Sequence, residues 1–448
     1  MTSRKRVFAH KVLRYLIPAV LAWGSSCPAV RADNVPAGNL HCIRAGARGN
    51  ASGRTWKDAF TSLPQKLQRG HIYYVASGDY SEHRFEDLED GEKFIIVKKA
   101  VETDHGTDEG WQKEYAQGAA KFKPVVFMKS YYIFDGQTGG GPKSWIYGHG
   151  FEINIPGGGM GIRILEQAKI PGEVKHIELR HIAATTGDID VKGAAVYGCT
   201  GKYSDIKISY CYFHDLFGVP VHIINWEHLL FEYNCVARNK CTPEWHSEAV
   251  ASRNCSNMIF RYNWWENIQG TGIIMHMSGE VTDWEVYGNV FYDSGIAPLG
   301  LTAHGAVADN QNGSIKRVKV YNNTIVGIRG LSSSFRFFKG AGDIEAYNNL
   351  WYKCPAFARM AGVTKQDCNT YIDTEAPGVP GANDKKLKGE DPFVNSKEHD
   401  FRLNRPTSPG KILKAPYDKD LLGNTRGTNG TWSRGAFEFS EGKLRSKD

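Results

Sequence analysis

The chain has 448 residues, enough for one large domain or for several smaller ones. With 41% hydrophobic and 23% charged residues and 49 glycines, its composition argues against a disordered chain, a coiled coil or a protein of many membrane spans. The net charge of +7 arises almost entirely in the first 32 residues, since the rest of the chain carries 49 basic and 48 acidic side chains. A polyanionic partner therefore needs a local site, and nucleic-acid binding is not expected.

Residues 1–32 have the features of a secretory signal peptide. A basic start is followed by an apolar run at 15–23 and then by Val30-Arg31-Ala32, a small-x-small cleavage pattern. The apolar run is too short to cross a bilayer, and no later segment is long and apolar enough for a membrane helix. We therefore expect a secreted or periplasmic protein without a membrane span.

Eight cysteines follow the predicted signal peptide, at positions 42, 199, 211, 235, 241, 255, 354 and 368. Export permits disulfides, and the absence of paired Cys-x-x-Cys spacing argues against a structural zinc site. The expectation is a mixture of disulfides and buried thiols.

A short pattern recurs from about residue 176 onwards. Six stretches alternate apolar and polar residues: 206–211, 229–234, 258–263, 284–289, 318–323 and 344–349. Their starts lie 23, 29, 26, 34 and 26 residues apart, and second apolar stretches follow several of them, at 221–224, 249–251, 273–275 and 335–338. Because the alternation has a period of two, the repeat predicts a solenoid of short strands and excludes helical repeats.

Five of the six stretches end in asparagine, at positions 234, 263, 289, 323 and 349. We expect these side chains to stack at one turn of successive coils, where each amide can bond to its neighbours and to the backbone of the turn. Their predicted role is structural and not chemical.

These repeats, together with segments 55–80, 97–111, 400–403 and 435–438, resemble the secreted right-handed parallel β-helix proteins of the pectate-lyase-like superfamily. The resemblance implies an all-β fold, a single right-handed parallel β-helix with a short amphipathic capping helix near 52–70. It implies three parts: a signal peptide at 1–32, the capped β-helix at 33–365, and a loop with a C-terminal cap at 366–448. Many members of the superfamily are polysaccharide lyases.

A solenoid offers a long outer groove that suits an extended polymer. Four histidines fall on the second strand or its approach in successive coils: His222, His246, His276 and His304. The densest constellation is Glu244, His246 and Glu248, which would face one way on a strand with Trp245 on the other side. A His-x-Glu stands at the same place in β-helix proteins that this sequence resembles. His246 and Glu248 are therefore the first candidates for catalysis. The alternative is that His246 is an exposed histidine between solvated acids and has no catalytic role.

Basic and aromatic residues on adjacent coils could hold a carboxylated sugar. An arginine pairs bidentately with a uronate carboxylate, and aromatic rings stack on sugar faces. The basic candidates are Lys192, Arg253, Arg336 and Lys339, and the aromatic candidates are Tyr197, Trp245, Trp264 and Trp265. Since Trp264 and Trp265 are consecutive, one of them should face the core.

The sequence thus predicts a polysaccharide lyase that cleaves a uronic-acid-containing glycan by β-elimination. His246 is the expected base, Arg253 neutralises the carboxylate, and the acid is Tyr197 or another histidine, His222 or His276. The predicted substrate-binding residues are Lys192, Trp245, His304, Arg336 and Lys339. Many β-helix lyases use Ca²⁺, so the resemblance also suggests Ca²⁺ as a cofactor, with Glu248 and nearby acids as its oxygen ligands. We expect an acidic polysaccharide as substrate and a monomeric protein.

Two alternatives from other classes stay open. A glycoside hydrolase on the same scaffold could use Glu244 or Glu248 with a second carboxylate, Asp283 or Asp215. A solenoid that binds glycans without cleaving them would use the same groove. The products distinguish these functions, because elimination leaves an unsaturated sugar and hydrolysis a saturated one.

Overall fold

The chain winds as a stack of coils, each contributing short strands to parallel sheets. The structure, a computed structural model, describes residues 37–142, 144–164, 173–242, 247–294, 304–310, 312–338, 342–355 and 360–440. The predicted signal peptide lies outside the described residues. The predicted fold class, an all-β right-handed parallel β-helix, is confirmed.

Three faces of the solenoid are each formed by one parallel sheet. Sheet 1 contains Leu40–Ile43, Ile72–Val75, Ile95–Lys99, Tyr132–Asp135, Val174–Arg180, Tyr203–Ser209, Trp226–Glu232, Ser256–Arg261, the second half of Gly272–Tyr287, Gly313–Tyr321, Gly342–Tyr347 and Lys365–Asp367. Sheet 2 contains Gly78–Tyr80, Ala120–Phe122, Phe151–Asn154, Ile182–Thr185, Tyr212–Phe217, Cys235–Lys240, Trp264–Ile268, Val290–Tyr292, Thr324–Val326, Leu350–Tyr352, Thr370–Ile372 and Lys385–Leu387. Sheet 3 contains His83–Phe85, Val125–Phe127, Gly159–Ile164, Gly193–Gly198, Val221–Ile224, Glu248–Arg253, the first half of Gly272–Tyr287, Gly305–Asp309, Phe335–Arg336 and Met360–Ala361.

Side chains alternate between the core and the outer surface along each strand. In sheet 3 the inward positions of successive coils carry similar β-branched residues in register: Val196, Val221, Val250, Ile274 and Val307. All five are fully buried in one continuous hydrophobic core. This stacking fixes the register, and so it also fixes which side chains face outward on neighbouring coils.

The asparagine ladder is confirmed and is longer than predicted. Its members are Asn234, Asn263, Asn289, Asn323, Asn349 and also Asn369, and all are fully buried. The backbone N–H of each asparagine donates to the Oδ1 of the next, over 2.9 to 3.0 Å. At the two ends, the Cys211 N–H donates to Asn234 and the Asn369 N–H donates to Asp384. The ladder therefore satisfies a row of turn amides that would otherwise be buried without partners.

The predicted capping helix near 52–70 is wrong. This segment consists of turns and bends, and the described residues contain only short 3-10 turns, at Ala37–Asn39, Lys113–Ala116, Gly330–Ser333 and Ser396–Glu398. The Thr55 hydroxyl accepts the Asp58 N–H as at a helix start, but Pro64 removes a backbone donor a few residues later. Leu63 and Leu67 still pack into the end of the core, so burial and not helicity holds the segment in place.

The C-terminal chain packs along the outside of the coils. Two strands of sheet 2, Thr370–Ile372 and Lys385–Leu387, come after the boundary at residue 365 that the sequence suggested, and an antiparallel pair, Phe393–Asn395 with Asp400–Leu403, follows them. Arg434 is almost fully buried and donates to the carbonyls of Asn369, Asn383 and Pro409. Tethering of this kind joins the end of the chain to the last coils.

The cysteines form no disulfide in the part of the chain that the structure describes. All eight, from Cys42 to Cys368, are free thiols, so the expected mixture with disulfides is wrong for these residues. Most lie in the core or under the turns, and burial raises the pKa of Cys211, Cys255 and Cys354 to about 12. No helix among the described residues is long and apolar enough to cross a membrane.

Candidate functional site

The outer face of sheet 3 carries a row of polar side chains on consecutive strands. Arg163 is in register with Tyr197, and Tyr197 is in register with His222. Neighbouring strands in a sheet are about 4.8 Å apart, so each of these side chains borders the next. All three are partly exposed. The register thus brings a cation, a phenol and an imidazole together on one surface.

Tyr197 and His222 are in direct contact. Their rings meet edge to face, with centroids 5.6 Å apart and planes at 88°. The Cys199 thiol donates to the His222 carbonyl oxygen at 3.3 Å. Burial, and then the neighbouring Cys199 thiol, raises the pKa of Tyr197 above its ordinary value. The phenol therefore keeps its proton at neutral pH and can donate it.

Two arginines border this pair. The buried Nε of Arg163 has no hydrogen-bond partner among the described residues. Arg253, exposed at the end of the strand after His222, is near enough for its charge to lower the pKa of Cys199, although burial dominates and raises that pKa to about 11. The predicted residues Tyr197, His222 and Arg253 therefore come together, and we call them, with Arg163, the sheet 3 site.

The remaining predicted catalytic residues are placed differently. Glu248 is fully buried, and its carboxylate accepts a hydrogen bond from the Thr271 hydroxyl. Its expected neighbours Glu244, Trp245 and His246, and also Lys339, lie outside the described residues. No group of three or more metal-binding side chains occurs within the part of the chain that the structure describes. We derive no step through Ca²⁺.

His276 lies in the core and not on the outer wall, which corrects its predicted role. It pairs in register with Ser252 and Asp309, and all three occupy the inward column of sheet 3. His222 is in register instead with Ala251 and Met275, so His222 and His276 differ by one position and face opposite sides of the sheet. The His276 imidazole contacts the Gly279 carbonyl at 3.0 Å, and burial lowers its pKa.

Asp309 beside it is a buried carboxyl with an incomplete set of partners. Its Oδ1 accepts the Phe338 N–H at 2.6 Å, while Oδ2 is buried with no partner in the described structure. Burial raises the pKa of Asp309 from 3.8 to about 7. The folded protein thus holds a proton that the unfolded chain releases at much lower pH.

This difference predicts a pH effect on stability. Between about pH 4 and pH 7 the folded state binds more protons at Asp309 than the unfolded state, so its contribution to stability falls as the pH rises. An Asp309→Asn variant stays uncharged and should gain stability relative to the wild type at about pH 8 but not at about pH 4.5. Urea unfolding midpoints at both pH values measure it. An equal difference at the two pH values would contradict the raised pKa.

A second polar cluster lies further along the same face. The Arg336 guanidinium is 5.0 Å from the centre of the Phe338 ring, and its Nη1 donates to the His304 carbonyl at 3.4 Å. Arg336 is four strands beyond His222, which corresponds to about 19 Å. The outward positions between them are buried and apolar: Ala251, Met275 and Ala308. His304 and Arg336 thus come together, but at a distance from Tyr197.

Lys192 belongs to a third place, the corner between sheets 2 and 3. Its Nζ is 5.6 Å from the centre of the Phe217 ring, and the Nζ of Lys240 is 5.8 Å from the same ring. Lys192 precedes Tyr197 by five residues, which corresponds to about 16 Å along an extended strand. It is therefore not part of the sheet 3 site.

Comparison with known proteins gives similarity at the level of solved structures only. No protein-family model matches this sequence, and no curated protein matches it. A GH136 lacto-N-biosidase from Eubacterium ramulus is 11% identical with a TM-score of 0.44, over 79% of this chain and 67% of that one. A second structure of that enzyme is 9% identical with a TM-score of 0.30, over 79% and 68%. The pectate lyase Pel9A is 12% identical with a TM-score of 0.39, over 91% and 99%. Function is therefore argued from the site.

The described carboxylates of the hydrolase alternative lie on three different sheets. Glu248 lies in sheet 3, whereas Asp215 in sheet 2 pairs with Arg238 and Asp283 in sheet 1 pairs with Arg317, each at 2.7 Å. Glu244, the other acid of that alternative, lies outside the described residues, and hydrolysis by two carboxyl groups stays an alternative.

Sequence reasoning missed Arg163 as a member of the site. Its strand, Gly159–Ile164, comes before the region where the repeat is recognisable, so the register of that coil was not available from the pattern. The alternation of Ile162, Arg163 and Ile164 is the signal that marks Arg163 as outward-facing. The prediction that one of two adjacent tryptophans faces inward is confirmed, since Trp265 is in the core and Trp264 is on the outer face.

Proposed function

We propose that this protein is a polysaccharide lyase that cleaves a uronic-acid-containing polysaccharide at the sheet 3 site. The observation that carries the proposal is the register of Arg163, Tyr197 and His222 on three consecutive strands. Export directed by residues 1–32 would bring such an enzyme to polysaccharides outside the cytoplasm. The similarity in fold to a pectate lyase is compatible with this function but does not support it by itself.

β-Elimination first needs a cation at the uronate carboxylate. Neutralising that charge makes the neighbouring C5 proton more acidic. Arg163 and Arg253 border the Tyr197–His222 pair, and an arginine fork can bind a carboxylate through two hydrogen bonds. We assign this role to the two arginines, with Arg163 as the addition to the sequence-based set.

The adjacent rings of His222 and Tyr197 can carry out the two proton transfers of the reaction. His222 removes the C5 proton, the electrons of the C5–H bond form the C4–C5 double bond, and the bond from C4 to the glycosidic oxygen breaks. Tyr197 donates its proton to the departing oxygen, a role that suits a phenol whose pKa is raised by burial. His246, the base that the sequence predicts, stays a second candidate for the first step.

The cluster of His304 and Arg336 suits a more distant sugar of the same polymer. A guanidinium about 19 Å from His222 along the coil axis can bind a second carboxylate several sugars away.

Arg336→Gln is therefore expected to weaken binding of long chains without affecting the chemical step. The KM for a polymer should rise about tenfold with little change in kcat, since one charged hydrogen bond is lost. Short oligouronates that do not reach Arg336 should be cleaved with an unchanged KM. A fall in kcat with unchanged KM would place Arg336 in the chemistry instead.

The test of the proposed function is ultraviolet absorbance during incubation with alginate, pectate, glycosaminoglycans, ulvan and glucuronan. A new conjugated double bond raises the absorbance and names the substrate class. A flat trace with new reducing ends would replace elimination by hydrolysis. A flat trace without new ends, combined with binding of a polymer, would leave a binding protein.

A further inference from the structure

We infer that a second saccharide site, specific for uncharged sugars, lies on the outer face of sheet 2. A cleft of about 410 Å³ is bounded there by the loop residues 136–142 and 144–150, the strand Trp264–Ile268 and the antiparallel pair near residue 400. Its volume is within the range of small-molecule sites. The residues that carry the argument are Trp145, Tyr147, Trp264, Glu266, Asp400 and Phe401. Sheet 2 is a different face of the solenoid from the sheet 3 site, so the inference does not depend on the proposed lyase activity.

The loop that forms one wall is fixed by close backbone contacts. Gly139, Gly140 and Gly141 have φ values of 82°, 79° and 75°, which favour glycine. A Cβ added to Gly140 would lie 2.0 Å from the Tyr210 carbonyl oxygen, so the loop sits directly on that turn. Within the loop, the Gly140 N–H donates to the Ser144 carbonyl at 2.9 Å. These contacts hold the segment that carries Trp145 and Tyr147 over the cleft.

Aromatic rings line the cleft from both sides. Trp264 stacks on Phe401 at 5.5 Å and 16°, and the Trp145 ring is 6.0 Å from the Trp264 ring. Tyr147 is 71% exposed, and the adjacent Ile146 is 36% exposed. Trp264 and Phe401 are themselves buried, at 8% and 1% exposure, so the rings that a ligand can reach are those of Trp145, which is half-buried, and Tyr147. Such rings beside a cleft are a surface on which the C–H faces of a sugar ring can pack, with removal of apolar area from water.

The polar groups of the cleft indicate the charge of the ligand. Glu266 accepts the Trp264 indole N–H at 3.0 Å, and Asp400 is held by Arg402 at 2.6 and 2.8 Å. With Glu398, the described lining has three carboxylates and one guanidinium. Carboxylates accept hydrogen bonds from sugar hydroxyls but repel a uronate. The cleft therefore suits a neutral oligosaccharide, in contrast to the cationic sheet 3 site.

Binding of neutral and charged hexasaccharides by calorimetry tests this inference. Cellohexaose, xylohexaose and mannohexaose are the neutral probes, and hexagalacturonate is the charged one. We expect binding of at least one neutral probe, and a loss of affinity of about tenfold or more in both Trp145→Ala and Tyr147→Ala. Leu88→Ala, which removes another strongly exposed apolar side chain away from the cleft, should leave the affinity unchanged.

Three outcomes would overturn the inference. The first is that no neutral probe gives heat of binding up to about 10 mM. The second is that Tyr147→Ala binds the neutral probe with the same affinity as the unchanged protein. The third is that hexagalacturonate binds at this cleft more tightly than the neutral probes do. Because Tyr147 is exposed, its variant should keep the unfolding temperature of the parent, which separates lost contacts from lost folding. A His222→Ala variant should still bind the neutral probe, so failure of the lyase proposal would not be mistaken for failure of this one.

Discussion

Alanine in place of His222 is expected to lower kcat/KM for β-elimination about 100-fold or more, because the group that removes the C5 proton is lost. His222 contacts Tyr197 at 5.6 Å between ring centres and is in register with it on the next strand. The initial rise in absorbance on the uronate polymer identified in the panel measures the loss. Far-ultraviolet circular dichroism of both proteins establishes that the coils are intact.

His228→Ala is the matched control, since this exposed histidine lies on sheet 1 and not on sheet 3. Its activity should stay within about twofold of the unchanged protein. If the His222 variant also kept its activity, the base would be elsewhere, and His246→Ala would then be the decisive variant. Retained activity in both the His222→Ala and the His246→Ala variants would exclude the mechanism proposed for sheet 3.

The asparagine ladder should give the largest stability effect of a single substitution. Asn289 Oδ1 accepts both the backbone N–H and the side-chain N–H of Asn263, at 2.9 and 3.0 Å. Its own amide donates to Phe260 and Asn323. Asn289→Ala leaves these groups buried without their partner, at a cost of about 3 kcal/mol in the free energy of unfolding. Urea unfolding followed by tryptophan fluorescence measures this difference.

Asn312→Ala is the control for this prediction. Asn312 is exposed on a turn, so its replacement should change the free energy of unfolding by less than about 0.5 kcal/mol. Equal stability of the Asn289 and Asn312 variants would show that water or a backbone shift replaces the lost ladder bonds. The prediction is therefore that Asn289→Ala lowers the free energy of unfolding more than Asn312→Ala does.

The ladder and the fold could be predicted from local sequence because both depend on a short repeated pattern. Alternation of apolar residues gives the strand faces, and an asparagine at the end of each stretch gives the turn. Asn369 was missed since the stretch before it, Lys365–Asp367, has no apolar alternation. The prediction of a capping helix failed for a different reason. The buried leucines Leu63 and Leu67 have the spacing of a helix, but Pro64 between them prevents the backbone from forming one.

The site was predicted only where the register could be followed. Tyr197, His222 and Arg253 were placed on one outer face, and they lie there. His276 was assigned to the same face, but it is in register with Ser252, whereas His222 is in register with Ala251. The two histidines thus differ by one position and face opposite sides of the sheet, a difference that the drifting spacing of the histidines does not reveal. Glu248 is fully buried and accepts a hydrogen bond from Thr271, a residue of the next coil, so this contact is not visible in the local pattern.

The same asparagine ladder bears on how the number of coils in this protein could change during evolution. Each rung bonds to the neighbouring rungs and to a strand carbonyl of the coil before it. The two ends close on different groups, the Cys211 N–H and the Asp384 carboxylate. A coil could therefore be duplicated or lost between Asn234 and Asn369 while every remaining rung kept an equivalent neighbour. Duplication of a coil in the gene would lengthen the outer faces in steps of one coil, and the proposed polysaccharide site would lengthen with them.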